Sequence, residues 1–451
     1  MTLTQQLIRI IRNKPISQSD LDRAAVFTLD AIANTLAGSN SDPGRKLLQW
    51  GASQGQDAGR KALVAGGLTH ILETDDLHRA SVTHPGCVVV PAVFALAERE
   101  GSNGRQMLKA ILHGFEAMCR VGAGVGPSHY RVWHNTATCG PFGSAMAAAT
   151  LLDLNADQAM HALGNAGTQS SGLWEFMETG AMSKHLHAGR AAEAGIVAAD
   201  LAKLDFTGPP KILEGAKGFF AATCLDSEPE KVTADSDAPW QLTQTSIKPW
   251  PCCRHTHPAI DAALELHQAL AGRGIASVQV DTYQAAMDVC DRPQPDSEYA
   301  AKFSIYHCVA AALDAGEVVF DSFSAANRDR LSQLRERITS VVAEPYAANY
   351  PVSWGSAVTV VTTDGDSLCT KRTAAKGDPE SALSNEDMII KANMLLAHAG
   401  FNTADAQQVI DGVLGMADDG NRLPDIVKTV FRQLEGVSKN RASKEELIWT
   451  H

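Results

Sequence analysis

The sequence predicts a mainly α fold: a large all-helical domain built from both chain ends, with a smaller α+β lid domain inserted between them. Three observations predict it. Apolar residues recur at helical spacing along the first half of the chain and again from Ser384 onward. Between these stretches the pattern changes to short alternating runs with an Asp-Gly turn. The length, 451 residues, exceeds what one core organises, while abundant alanine and glycine with few aromatics favour close helix packing. The expected division is 1–247 and 384–451 for the helical domain and 248–383 for the lid.

Each element has a local reason. "SQSDLDRAAVFTLDAIANTLAGSN" starts with Ser17, which can cap a helix with Asp20 three residues on, and Gly38 can close it. Leu21, Ala25, Leu29, Ile32 and Leu36 then share one face. "GCVVVPAVFALAERE", "GRQMLKAILHGFEAMCRVGA", "GPFGSAMAAATLLDL", "ADQAMHALGNAG" and "LHAGRAAEAGIVAADLAKL" continue the series, with small residues that permit tight crossings. In the middle part, "PAIDAALELHQALAG" is a helix behind a Pro-rich approach, and "ASVQVDTYQA" alternates as a strand does. "SAVTVVTTDGDSLCTKRTAA" reads as two strands joined at Asp364-Gly365. Helices return in "SNEDMIIKANMLLAHAG", capped by Ser384 and Asp387, and in "DAQQVIDGVLGMADDG" and "LPDIVKTVFRQLEGV".

The formal charge of −12 disfavours binding to a nucleic-acid backbone, though a local cationic pocket can still take a small anion. Nine cysteines without framework spacing suit a reduced, cytoplasmic protein. "MTLTQQLIRIIRNKP" lacks a cleavage site and reads as a short amphipathic helix, although Arg9, Arg12 and Lys14 would also suit a transit peptide. No run reaches the roughly 18 apolar residues of a membrane span.

Five stretches could carry chemistry. "ILETDDLHRASVTHPG" crowds Glu73, Asp75, Asp76, His78 and His84 together. It could ligate a metal through Asp76, His78 and His84, transfer protons, or only cap a helix, and its spacing fits no standard closed metal site. "HYRVWHNTATCGPFGSAMAAA" sets His129, Arg131 and His134 before a Gly-Pro break and a small-residue helix, a place where anions bind. In "GAMSKHLHAGRAAEAG", a helix beginning near Ser183 puts Lys184 and His187 on one face, and a buried lysine can serve as a base. "SIKPWPCCRHTHPAID" gathers Lys248, Arg254, His255 and His257; its adjacent cysteines argue against zinc, and Arg254 can clamp a carboxylate. "YAAKFSIYHCVAAALDAG" offers Lys302, Tyr306 and His307 at a helix start, where Tyr306 is either a proton donor or a core residue with a bonded hydroxyl. No Walker loop, G-x-S-x-G elbow or dinucleotide fingerprint is present.

Taken in order, "ETDDLHRASVTHPGCVVVPAVFALAE", "WHNTATCGPFGSA", "GAMSKHLHAGRAAEAG", "IKPWPCCRHTHPAID" and "KFSIYHCVAAAL" resemble the MmgE/PrpD family over nearly the whole chain. The family includes 2-methylcitrate dehydratases, cis-aconitate decarboxylase and iminodisuccinate epimerase. The resemblance implies a helical domain with an inserted lid, a homodimer, no metal or other cofactor, and a small-molecule polycarboxylate as the partner. It implies a pocket holding Glu73, His84, His134, Lys184, Lys248 and Tyr306. The expected catalytic groups are then Lys184, His134, His84, Tyr306 and Glu73, with Lys248, His78, Arg131, His187, Arg254 and His255 binding substrate. Where family members often read Asp-(Tyr/Phe)-Asp-Asp-Thr, this chain has Glu73-Thr74-Asp75-Asp76-Leu77, which removes a hydroxyl and lengthens one acid. The expected reaction is dehydration of a citrate- or 2-methylcitrate-type acid. Decarboxylation, epimerisation, or binding without turnover are the alternatives.

Overall fold

The computed structural model describes residues 1–53 and 55–418, with Val430, Phe431 and Leu434. The chain is mainly helical with one small four-stranded sheet. It divides into two compact units: one runs to Ile247 and resumes at Ser384, the other is Lys248–Leu383.

The first unit opens with α1 (Leu3–Asn13) and α2 (Gln18–Gly38), the latter capped by Ser17 and Asp20 in a reciprocal box. Then come α3 (Ala58–Thr69), α4 (Gly86–Glu100), α5 (Gly104–Ala123), α6 (Asn135–Leu151), α7 (Ala156–Gly167) and α8 (Ser183–Lys203). Helices α6 and α8 form the centre, with α8 crossing α3 and α6, and α6 crossing α5. Small residues let the backbones meet. A Cβ on Gly189 of α8 would stand 2.2 Å from the Leu63 carbonyl oxygen of α3, so only glycine fits. That contact fixes the first turn of α8, where Lys184 and His187 lie.

In the second unit α9 (His257–Leu270) and α10 (Ile305–Ala315) pack on strands β1 (Ile275–Thr282), β2 (Ile338–Val342), β3 (Ser356–Thr362) and β4 (Ser367–Arg372), in the order β2-β1-β3-β4. Strands β3 and β4 are antiparallel, with Thr359 opposite Cys369, and turn through Gly365. Strand β2 lies parallel to β1 and was not expected from the sequence. It is an edge strand with only Ile338 buried, so its residues show no alternation to read. The chain then returns to the first unit with α11 (Asn385–His398), capped by Ser384 and Asp387, and α12 (Thr403–Leu414). The helix expected in "LPDIVKTVFRQLEGV" lies outside the described residues apart from Val430, Phe431 and Leu434. Among the described residues no helix is long and apolar enough to cross a membrane.

Candidate active site

The acidic stretch is the link between α3 and α4, and its groups have separate tasks. His70 caps the end of α3 and donates from Nδ1 to Asp75 Oδ2 at 2.6 Å. Glu73 forms an ion pair with Lys184 of α8, both side chains being at most 10% exposed. Asp76 accepts the Gly86 N–H at 3.0 Å and so caps α4, the plain role for an acid at a helix start. His84 donates its backbone N–H to Thr136 at 3.1 Å, and its Nδ1 meets the Asp76 carbonyl. The backbone is bent hard: Glu73 has φ +62° and Val82 φ +50°. For a β-branched residue that is a true outlier, and such strain gathers at functional sites.

His134 is the residue before α6, whose helix starts at Asn135; Gly140 and Pro141 thus lie within the helix and do not precede it. That moves His134 to the helix N-terminus. Its N–H donates to the Gly172 carbonyl at 3.0 Å, and Gly172 has φ +124° with a Cβ position only 2.4 Å from Ala137. The His134 ring stacks on His70 at 5.6 Å, tilts against Trp174 at 4.8 Å, and its Nδ1 is 3.3 Å from His187 Nδ1. Burial, then the nearby His70, Lys184, His187 and His84, hold its pKa well below the usual histidine value. Burial likewise lowers His187 to about 4 and His185 to about 3. His134 and His187 are therefore neutral near pH 7, and a hydrogen bond between their Nδ1 atoms needs one ring to donate and the other to accept.

The N-termini of α4, α6 and α8 thus meet around Lys184 and a set of imidazoles, bringing Glu73, His84, His134, Lys184 and His187 together. Helix starts carry partial positive charge and favour anions. Four buried polar atoms here have no hydrogen-bond partner among the described residues: His70 Nε2, Asn135 Oδ1, Trp174 Nε1 and His185 Nδ1. Orphans of this kind mark where a polar ligand would sit. The sequence reading missed His70, Asn135, Trp174 and His185; only their closeness in sequence to Glu73, His134 and Lys184 signalled them.

The other expected groups have partners of their own in their local surroundings. His78 is buried with its Nδ1 2.8 Å from the Ser81 hydroxyl, and burial lowers its pKa to about 4 despite a bond with Gln241. Arg131 is exposed and its charge acts on Asp226. In the second unit Lys248 is buried. Arg254 pairs through Nη2 with buried Asp378 and lies over the Trp354 ring, while its buried Nη1 has no hydrogen-bond partner among the described residues. His255 stacks on Trp354 at 4.5 Å and bonds the Tyr283 hydroxyl at 2.8 Å; burial drops its pKa to about 3. Tyr306 donates to Asp291 at 2.7 Å, and burial and that carboxylate push it up to about 12. For metal binding, Asp76, His78 and His84 do not form a compact donor group among the described residues. The closer group is His70, Asp75 and His84, whose donor atoms lie within 4.8 Å of one another.

The sequence matches the MmgE/PrpD N-terminal domain over residues 5–232 and the MmgE/PrpD C-terminal domain over residues 250–415, and the chain belongs to the MmgE/PrpD family. Among its relatives, the cis-aconitate decarboxylase of Aspergillus terreus is 26% identical over 447 residues, covering 90% of each chain. The Mus musculus cis-aconitate decarboxylase is 27% identical over 350 residues, 72% of this chain and 69% of that one. The Homo sapiens enzyme of that name is 28% identical over 344 residues, 72% and 70%.

Proposed function

We propose that this protein is a metal-independent lyase that dehydrates a citrate-type hydroxy polycarboxylate by general acid/base chemistry. The observation that carries the reading is the set of orphaned buried polar atoms around His134 and Lys184, where three helix N-termini meet. An anion with several oxygen atoms would satisfy them.

Dehydration needs a proton acceptor at the carbon beside a carboxylate and a proton donor at the departing hydroxyl. His134 is the proposed acceptor: burial and the nearby Lys184 keep its ring neutral, so it has a lone pair to take a proton. Lys184, paired with Glu73, carries a proton and suits the donor and the stabiliser of developing negative charge. His134 takes the carbon-bound proton, the C–O bond breaks as Lys184 protonates the oxygen, and water leaves as the double bond forms. The His134–His187 contact lets the proton pass on to the half-buried partner ring. The 2.6 Å contact between His70 and Asp75 suits a shared proton, whereas two ligands on one divalent ion stand about 3 Å or more apart.

A second reading has specific support: the relatives named above are cis-aconitate decarboxylases. Decarboxylation would use the same cationic surround, with a proton delivered to carbon in place of one removed. Mass spectrometry of citrate, 2-methylcitrate, cis-aconitate and iminodisuccinate incubations separates the readings. Loss of water supports dehydration, loss of carbon dioxide the alternative, and no change in any acid refutes both. Self-association is part of the proposal. Tyr130, Val132, Leu173, Met177, Met182 and Leu186 are exposed and lie beside this site on linked segments. The reduced cysteines accord with a cytoplasmic setting.

A further inference from the structure

Helix α2 buries Asp30 and Asn34 four residues apart, alongside Thr28 and Thr35, in a run of otherwise apolar side chains, and α11 buries Lys391 within "MIIKANMLL". The proposed chemistry uses none of them, yet they meet. Lys391 forms an ion pair with Asp30, both side chains being 2% exposed, and also donates to the Thr74 carbonyl at 2.7 Å. The Thr74 hydroxyl donates to the Asn34 side-chain oxygen, and the Asn34 amide donates to the Asp30 carbonyl at 2.9 Å. Thr74 stands between Glu73, the partner of Lys184, and Asp75, the partner of His70.

We infer that Lys391 is a positioning residue that holds the Glu73–Asp75 segment in its bent form and so aligns the Glu73–Lys184 pair. A buried ion pair is poor value as a stabiliser, since well-packed apolar residues in its place are commonly neutral or better. What an apolar pair cannot supply is a donor for the Thr74 carbonyl. That carbonyl follows a residue whose φ of +62° disfavours its own conformation, so an external anchor is needed to keep it. The C-terminal return of the chain thereby acts on a group 207 positions before α11's lysine: Lys391 governs Lys184 through Thr74 and Glu73.

The catalytic meaning of this inference rests on the proposed lyase reading, so its test does not. Lys184 acetylation by acetic anhydride at fixed alkaline pH, followed by mass spectrometry, is compared in three full-length proteins. In Lys391→Met the freed segment releases Glu73, Lys184 loses its anion, and its labelling relative to surface lysines rises about tenfold. In Asp30→Asn the ion pair is lost but the Thr74 anchor remains, so stability falls while labelling stays at the wild-type level. A merely structural role would raise labelling in both variants along with the lost stability, and that result, or unchanged labelling in folded Lys391→Met, overturns the inference. If Lys391→Met alone does not fold, the Asp30→Leu/Lys391→Met double variant carries the same comparison. Turnover of the wild type is measured alongside. Raised labelling in Lys391→Met with no turnover of any polycarboxylate sinks the lyase reading and leaves the positioning role standing.

Discussion

The Lys184–Glu73 pair should behave as one unit in a double-mutant cycle. With side chains 10% and 7% exposed, it lies in the regime of buried pairs and not that of surface bridges worth under about 1 kcal/mol. Glu73→Gln leaves an ammonium buried without its anion, and Lys184→Met leaves the carboxylate buried without its cation. Each should lower unfolding free energy by about 3 kcal/mol, the low end of the range for breaking such a pair, because both sites keep slight contact with solvent. The double variant removes both charges and should lose no more than either single change, a coupling of about 3 kcal/mol. Urea denaturation at pH 7 followed by far-UV circular dichroism measures all four proteins. The double variant is then the control for function: folded nearly as well as a single variant, it should have no turnover. A coupling below about 0.5 kcal/mol would refute the pairing, and an active double variant would refute the catalytic assignment.

Acid should destabilise the fold from about pH 6.5 downward, because the unfolded chain protonates histidines that burial keeps neutral in the native state. The window reaches to about 4 for His187, His78 and His129, so calorimetry in buffers of different ionisation enthalpy at about pH 5 should show proton uptake on unfolding. His134→Gln should reduce that uptake by about one proton. His187→Ala should slow turnover, and imidazole buffer should restore it, if the ring passes on the proton from His134; rates independent of buffer concentration would exclude the relay. Val82→Gly should hold or raise thermal stability, since glycine adopts φ +50° at no steric cost; a marked fall would show that the side chain's packing outweighs the strain. Prolonged dialysis against chelator should leave turnover unchanged.

The class of fold was legible because capping boxes and apolar periodicity are local signals. Ser17 with Asp20, and Ser384 with Asp387, do in the structure what their spacing implies. The placement of several candidate residues has a related source: Lys184 and His187 lie in the first turn of α8, His134 immediately before α6, and His84 two residues before α4. What was not legible is pairing at a distance. Asp30 and Asn34 are visible as polar intrusions in an apolar face, but nothing local names Lys391 as their partner. The partners of Arg254, His255 and Tyr306 were hidden likewise: a sequence shows charge and donor capacity, while Asp378, Trp354 and Asp291, which contact them, come from elsewhere in the chain. The start of α6 was misplaced because Gly140-Pro141 carries a breaker's signature, which burial against Ala191 and Val88 overrides.

An acidic wall beside the proposed polycarboxylate site looks self-defeating, yet each acid has its own partner. Asp76 is spent on the N-terminus of α4, Asp75 on the His70 ring and Glu73 on Lys184. Each carboxylate thus faces a specific donor, leaving the helix starts of α6 and α8 and the neutral imidazoles turned to one another. The negative charge also has a use, since a lone buried ammonium would lose its proton to desolvation. On the proposed reading Glu73 pairs with the Lys184 ammonium, while burial holds His134 neutral. A proposed acid and base can share one site at one pH under that division of charge. It follows that Glu73→Gln should remove the donor more than the base. Decline in turnover should then be steepest for substrates with a poor leaving group, and a uniform decline across leaving groups would place Lys184 outside the bond-breaking step.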